Sequence, residues 1–483
     1  MKILLILPAA EKYRITESSA RVPQRRMLRF SILPLTAAAA LTPDEHEVQI
    51  CDENVECLDM NTDAEVIGIS FMTALAPRAY ALAGEFRKRG KTVVAGGYHP
   101  TLCPEEASMH FDAVVAGDAE GIWPRLLEDI VSGELKKIYR SDGCRSLERM
   151  PRPRRDLMGK KSRHYATVYA VQATRGCPHS CTYCSIAAFH RGTFRKRPVA
   201  EVIAELGAVA RDFIFVDDNI IADPDYAKEL FRAMIPLGKR WVSQASLKIA
   251  DDAELLSLAG RAGCRGLFIG IETIGAGNLA SVKKGFNAER AVEGRIKALH
   301  GAGIGIIAGI IVGMDQDDAA SFEATLDFLQ KNRIDAVQVN IMTPLPGTLL
   351  HRSLREEGRI ADEDLSHYDF RHAVIVPARM SRRDLQDGAD WLYRSFYRLD
   401  RIFLRAIRTL FTLGPAQAVL CWRLNRTYRY DNIREGIVGR NPAEGTRPLR
   451  AYAGPWYRYF FRGGWPLLNW LRRGESVNGG GVR

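Results

Sequence analysis

Long apolar stretches are missing from this sequence of 483 residues. The longest run, Ile304 to Val312, falls far short of the roughly 20 residues that cross a bilayer, so no transmembrane helix is expected. No secretion signal is expected either: Met1-Lys-Ile-Leu-Leu-Ile-Leu-Pro8 is brief and meets Glu11, Lys12 and Arg14 without a small-residue cleavage site. It reads as a first buried strand. Cysteine is sparse, with nine in the chain, which excludes a secreted disulfide scaffold and suits a reducing cytoplasm. Lysine is absent after Lys331, and Trp391 to Arg483 carries 17 arginines, five acidic residues and five of the seven tryptophans. The overall charge of +11 is therefore local, because residues 1–390 sum to −1.

The 46% apolar and 26% charged content is that of a soluble globular chain with room for two or three domains. Over residues 1–140, short apolar runs at Ile3–Leu7, Val66–Ser70, Val93–Gly97 and Ala113–Gly117 alternate with helical patterns, including one near Pro77–Arg89. Continuous apolar strands separated by helices predict a doubly wound parallel sheet. Such sheets bind ligands beyond the carboxyl ends of their strands, where Ser70, Gly96, Gly97 and Gly117 would lie. Residues 141–164, rich in Arg, Pro and Asp, read as a linker.

Over residues 165–370, strand-and-helix units repeat at Tyr169–Ala173, Phe213–Val216, Trp241–Ala245, Gly266–Ile271, Ile304–Val312 and Ala336–Ile341. Six such units predict a complete or partial β/α (TIM-like) barrel with its chemistry in the loops after the strands. Residues 371–483 form a C-terminal helical segment, with helical spacing over Ser381–Thr412 and dense aromatics beyond Asn441. The expected class is α/β throughout the first 370 residues.

The first of those barrel loops carries Cys177-Pro-His-Ser-Cys181-Thr-Tyr-Cys184. Three thiolates on one loop can hold three corners of a 4Fe-4S cluster and leave the fourth iron open to chelate a substrate's amino and carboxylate groups. The competing readings are zinc, with His179 or His190 as a fourth ligand, or three unrelated buried thiols.

This motif, on the loop after a first barrel strand, resembles the hallmark of the radical S-adenosylmethionine (radical SAM) superfamily. Val93-Val-Ala-Gly-Gly-Tyr-His-Pro100 and Ala116-Gly-Asp-Ala-Glu120 resemble the cobalamin-binding domain of one large branch, as do Gln172-Ala-Thr-Arg-Gly-Cys177, Gly270-Ile-Glu272-Thr and Thr343-Pro-Leu-Pro-Gly-Thr348. The resemblance reaches residue 380 and stops before the tail. It implies that Cys177, Cys181 and Cys184 ligate the cluster and that Tyr183 packs near the adenine of S-adenosylmethionine. It further implies that Asp217, Asp218 and Asn219 approach the methionine amino group, that Ser243, Gln244 and Glu272 contact the ribose, and that Gly309 to Gly313 back the adenine. No general acid or base stands out. The cobalt-ligating pattern Asp-x-His-x-x-Gly is absent, and His99 sits in a different setting, so any cobalamin would be held without a histidine beneath it.

The resemblance implies a methyltransferase acting on an unactivated carbon of a small or lipid-like molecule, with a flavodoxin- or ferredoxin-type reductant. Ring formation or rearrangement remains an alternative, and so does methylthio transfer, for which Cys51, Cys57 and Cys103 are the early candidates for a second cluster. The non-enzymatic reading is an iron–sulfur electron-transfer protein. The tail, residues 391–483, suits either a cap over the barrel or peripheral contact with the inner face of a membrane. Nucleic acid is not an expected partner.

Overall fold

In the N-terminal half, the central strands are continuous apolar runs whose successive side chains are buried on opposite sides. The computed structural model, which describes residues 1–16, 33–141, 146–281 and 289–429, shows why. The strands β1 (Lys2–Leu7), β2 (Glu47–Asp52), β3 (Val66–Ser70), β4 (Thr92–Gly96), β5 (Ala113–Ala116) and β6 (Ile138–Arg140) form one parallel sheet in the order β2-β1-β3-β4-β5-β6. Leu4, Ile6, Ile67, Ile69 and Val93 pack on one face with Ala79, Leu82 and Phe86 of the helix Ala76–Lys88. Ile3, Leu5, Val66, Val94 and Val115 pack on the other with Leu35, Trp123, Leu126 and Leu127. Side-chain period two with a helix layer on each face is what makes the sheet doubly wound. Strand order reverses beside β1, and the crevice between β1 and β3 is where such sheets receive a ligand.

The second half contains β7 (Ala170–Val171), β8 (Thr174–Gly176), β9 (Phe194–Lys196), β10 (Asp212–Phe215), β11 (Arg240–Ala245), β12 (Cys264–Glu272), β13 (Gly305–Val312) and β14 (Ala336–Ile341). Six of these form a parallel sheet in the order β14-β13-β12-β11-β10-β7, a partial barrel with edges at β7 and β14, while β8 and β9 pair antiparallel beside it. Trp241 sets the outer side of β11: its ring lies 5.2 Å from Phe231 on the helix Pro224–Met234, and its indole N–H donates to the Ala262 carbonyl. By alternation, Val242 and Gln244 face the inside, with their ladder neighbours Gly266 and Phe268, then Ile307, Gly309 and Ile311, then Gln338 and Asn340. Asp223, Asp252 and Asp318 cap the covering helices by accepting first-turn amides, which places each strand-to-helix turn at the barrel mouth.

Residues 146–164, which the sequence presents as a tether, are built into the molecule. Met158 and Tyr165 are buried in the N-terminal core, and the Tyr165 hydroxyl donates to Asp52 at 2.5 Å. Arg155 donates to the Ala170 carbonyl at 2.6 Å and pairs with Glu205 at 2.5 Å. The composition is that of a loop because its polar side chains do the holding. Three helices close the described chain: Arg382–Phe396, begun by a reciprocal Ser381–Asp384 cap, then Leu399–Leu413 and Pro415–Arg429. The first packs on the barrel through Leu385, Ala389, Leu392 and Phe396, and the Tyr397 hydroxyl exchanges hydrogen bonds with both backbone groups of Val337. The part of the tail from residue 430 onward lies outside the described residues.

Candidate functional site

The cysteine loop leaves the barrel under tight control. Before it, β8 turns back against β9, and Gly176 adopts a φ of +87° where a Cβ would lie 2.1 Å from the Thr193 carbonyl oxygen, so only glycine fits. Two of the residues assigned to the methionine amino group hold this segment. Asp217 accepts from the Ala173 and Thr174 amides and from the Thr174 hydroxyl at 2.7 Å. Asp218 accepts from the Gly176 amide at 2.9 Å. Burial pushes Asp217 up to about 7, against those bonds, and Asp218 up to about 6. The third, Asn219, accepts from the Ser246 amide at 3.2 Å and ties the β10 and β11 loops together. On the far side, the Leu350 amide donates to the Thr182 carbonyl at 3.0 Å, so the turn after β14 also holds the cysteine loop.

Cys184 begins the helix Ser185–His190, and the amides of Ile186 and Ala187 reach its sulfur. Burial pushes its thiol up to about 11, the amides pull the other way, and Cys181 and Cys177 are close enough to oppose its ionisation. A thiolate trio that repels itself calls for a cationic partner among the sulfurs. Zinc is a poor one: a tetrahedral zinc holds sulfurs about 4 Å apart. Among the described residues, the trio whose ligand atoms all lie within 4.8 Å is instead His99, Cys103 and Glu106. His190, one candidate fourth zinc ligand, turns to Arg195 at 3.4 Å and Asp218 at 4.0 Å. A wider, multi-iron group fits the three cysteines better.

Tyr183 and Glu272 meet. The half-buried Tyr183 hydroxyl donates to the Glu272 carboxylate, and burial pushes its pKa far above the usual tyrosine value, so it stays a donor. Glu272 itself holds a φ of +71°, at a register shift where β12 leaves β13. A left-handed glutamate at a strand end is a strained residue of the kind that collects at binding sites. Ser243 and Gln244, expected to act together, lie on opposite faces of β11. The Ser243 hydroxyl is buried with no hydrogen-bond partner, whereas Gln244 is exposed on the inner face. Phe268 lies across Gly309, where a Cβ would come within 2.8 Å of its ring. Gly313 is required by packing: at φ +93° its missing Cβ would sit 2.8 Å from Leu385. The sequence reading missed Gln338 and Asn340, joined at 3.2 Å on the inner face of β14. Two polar residues in an otherwise apolar buried strand were the available signal.

The N-terminal loops come to the same place. Arg175, two residues before Cys177, forms a two-bonded pair with Glu120 at 2.9 Å and meets Asp118 at 3.0 Å. Arg195 holds Asp118 from the other side at 2.6 Å. The rings of Tyr98 and Phe189 lie 4.9 Å apart across the same junction. Gly97 turns at φ +100°, where a Cβ would strike the Phe71 backbone and the Ser70 hydroxyl. Gly117 turns at φ +108°, donating to the Thr101 hydroxyl at 2.9 Å. At Gly96 a Cβ would meet nothing within 4 Å, which leaves an open floor at the strand ends for a flat ligand. His99 gives that ligand nothing: it is fully buried, with its ring nitrogens 3.3 Å from the Thr73 hydroxyl and 3.0 Å from the Tyr80 hydroxyl. The early cysteines do not gather either. Cys51 is in β2 and Cys103 follows β4, and strands three places apart in a sheet stand about 14 Å apart.

Comparison with known proteins agrees with this geometry. The family model for the radical SAM superfamily matches residues 171–329, and that for the B12 binding domain matches residues 33–127. The bacteriochlorophyllide d C-12(1)-methyltransferase of Chlorobaculum tepidum is 30% identical over 416 residues, which cover 84% of this chain and 89% of that protein. The hopanoid C-2 methylase of Rhodopseudomonas palustris is 25% identical over 70% of this chain and 67% of its own. Among solved structures, the radical S-adenosylmethionine methyltransferase TsrM of Kitasatospora setae, with cobalamin and a [4Fe-4S] cluster bound, superposes with a TM-score of 0.62 at 16% identity, covering 90% of this chain and 99% of that one.

Proposed function

From the family to which this chain belongs, the cobalamin-dependent branch of the radical S-adenosylmethionine superfamily, we propose that it transfers a methyl group to an unactivated carbon of a small or lipid-like molecule. The observation that carries the reading is the junction of Arg175, Asp118, Glu120 and Arg195. It holds the strand ends of the cobalamin-type sheet against the loop bearing Cys177, Cys181 and Cys184, as a reaction shared between two cofactors requires. When bound, the cofactors would supply a radical that removes a substrate hydrogen and a transferable methyl group.

The chain's own residues bind, orient and exclude water. Cys177, Cys181 and Cys184 hold the cluster. Asp217 and Asp218 fix the backbone that presents them, and this supports a positioning role for both. Tyr183, whose hydroxyl proton goes to Glu272, offers its ring to the adenine, and Glu272 offers its remaining acceptor capacity to the ribose. Gln244, Gln338 and Asn340 line the inner wall where a substrate lies, while Ser243 stands on the outer face of β11 and takes no part there. Gly96, with Ser70, Gly97 and Gly117 around it, forms the floor for cobalamin. The same arrangement serves ring closure or rearrangement, and the methyltransferases among the relatives favour methylation. The cluster's electron comes from a flavodoxin- or ferredoxin-type reductant.

The test is anaerobic purification with cobalamin added, then assay of iron, cobalt, 5′-deoxyadenosine and S-adenosylhomocysteine on reduction with S-adenosylmethionine present. Iron near four per chain and both products are expected. Persistence of 5′-deoxyadenosine in Cys181→Ala would refute the reading, and 5′-deoxyadenosine without S-adenosylhomocysteine would favour rearrangement.

A further inference from the structure

The helix Leu399–Leu413 is inverted. Its inward side chains include Ile402, Arg405 and Thr409, all buried, while Leu399, Phe403, Leu404, Ile407, Leu410 and Phe411 face outward, with Phe411 82% exposed. Polar bonds account for the inner face. The Arg405 guanidinium donates to Asn425 Oδ1 and to the Phe396 carbonyl, each at 2.9 Å, and lies 3.9 Å from the Phe396 ring centroid. Asn425 in turn donates to the Asp335 carbonyl at 2.8 Å. The helix is thus fastened to the barrel by hydrogen bonds and turns its apolar side outward.

Exposed leucines are ordinary when scattered, but a contiguous set marks an interaction surface. Among the described residues, thirteen large apolar side chains are exposed, and eight of them lie between Trp391 and Val419. Charge identifies the partner. Residues 391–429 hold eight arginines and one acidic residue, Asp400, whose carboxylate is paired with Arg398 at 3.1 Å. Arg394, Arg398, Arg423 and Arg426 are exposed. A second copy of the chain docked on this face in a two-fold pair would bring one arginine set against another, which is repulsive. A surface that is apolar inside and anionic at its rim suits both features.

We infer that the outer face of Leu399–Leu413 seats the protein on an anionic lipid surface, with Phe403, Leu404, Ile407 and Phe411 entering the acyl boundary and the flanking arginines at headgroup phosphates. No helix among the described residues is long and apolar enough to cross a membrane, so the contact is in the plane. It goes beyond methyl transfer and holds whichever reaction the barrel performs.

Flotation of the full, cofactor-loaded chain on phosphatidylglycerol–phosphatidylcholine vesicles and on pure phosphatidylcholine vesicles tests it, with the double variant Phe403→Glu/Phe411→Glu beside the natural chain. The natural chain is expected to float on the anionic vesicles, and the variant's partitioning to fall about tenfold or more, with its circular dichroism and 5′-deoxyadenosine formation unchanged. Equal flotation of both proteins would overturn the inference, as would no flotation of the natural chain. So would a concentration-dependent dimer in sedimentation that the double variant abolishes, since the face would then belong to a second copy.

Discussion

Replacing Arg175 with methionine tests whether the two-domain junction depends on one guanidinium. Methionine keeps an unbranched apolar stem and removes every donor. Asp118 retains Arg195 at 2.6 Å, but Glu120, with a side chain only 10% exposed, loses the partner that holds both its oxygens. Breaking a buried pair by removing one member costs about 3–5 kcal/mol, since the remaining charge has neither water nor a partner. At about 2–4 °C per kcal/mol for a unit of 150–250 residues, a loss near the lower bound lowers the melting temperature by about 6–12 °C. Adding Glu120→Gln removes the stranded charge and restores more than half of that loss. A pH dependence follows from Asp118. Burial raises its pKa, but Arg175 and Arg195 outweigh burial and hold it below the ordinary aspartate value. The stabilisation is therefore present above the unfolded value near 4 and disappears as the pH falls through the lower folded value. Arg175→Met flattens this acid limb. Calorimetry of the anaerobic protein at neutral pH and at about pH 4 measures both effects. A loss below about 1 kcal/mol at neutral pH, or no recovery with Glu120→Gln, would refute the reasoning.

Three further substitutions separate the residues that bind from those that hold. Glu272→Gly relieves a left-handed glutamate, so without S-adenosylmethionine the protein melts no lower, while its affinity for that ligand in equilibrium dialysis drops about tenfold or more; unchanged affinity removes Glu272 from the binding set. Gly313→Ala forces a Cβ against Leu385 in a backbone conformation that alanine resists, at a cost of about 2–4 kcal/mol, seen as earlier proteolysis within Arg382–Phe396; a normal digestion pattern counts against the packing role. Asp217→Asn turns an amide nitrogen toward the Ala173 N–H, costing about 1–3 kcal/mol and lowering iron content per chain; full iron loading shows that the cysteine loop does not need this peg.

All six barrel strands were legible in the sequence to within a few residues, because a parallel strand covered by helices is a short apolar block bounded by turns. In the N-terminal sheet, β2 and β6 were not. Glu47-Val-Gln-Ile-Cys-Asp52 mixes polar and apolar residues because β2 is an edge strand, and β6 contributes only three residues at the other edge. The cysteines were plain because three ligands share one loop. The ion cluster beside them was not: Arg175 and Glu120 are 55 residues apart, and a pairing over that distance leaves no local pattern. Asp217 and Asp218 were found for their position but not for their bonds, since two carboxylates after a strand look the same whether they face a ligand or the backbone.

A six-stranded sheet with edges at β7 and β14 is not a closed well. At β14 that edge is filled from outside: the Tyr397 hydroxyl bonds both backbone groups of Val337, and the Phe370 carbonyl accepts from the Ile341 amide. Gln338 and Asn340 therefore face inward from a strand braced along its outer edge, so loosening Tyr397 would loosen the inner wall they form.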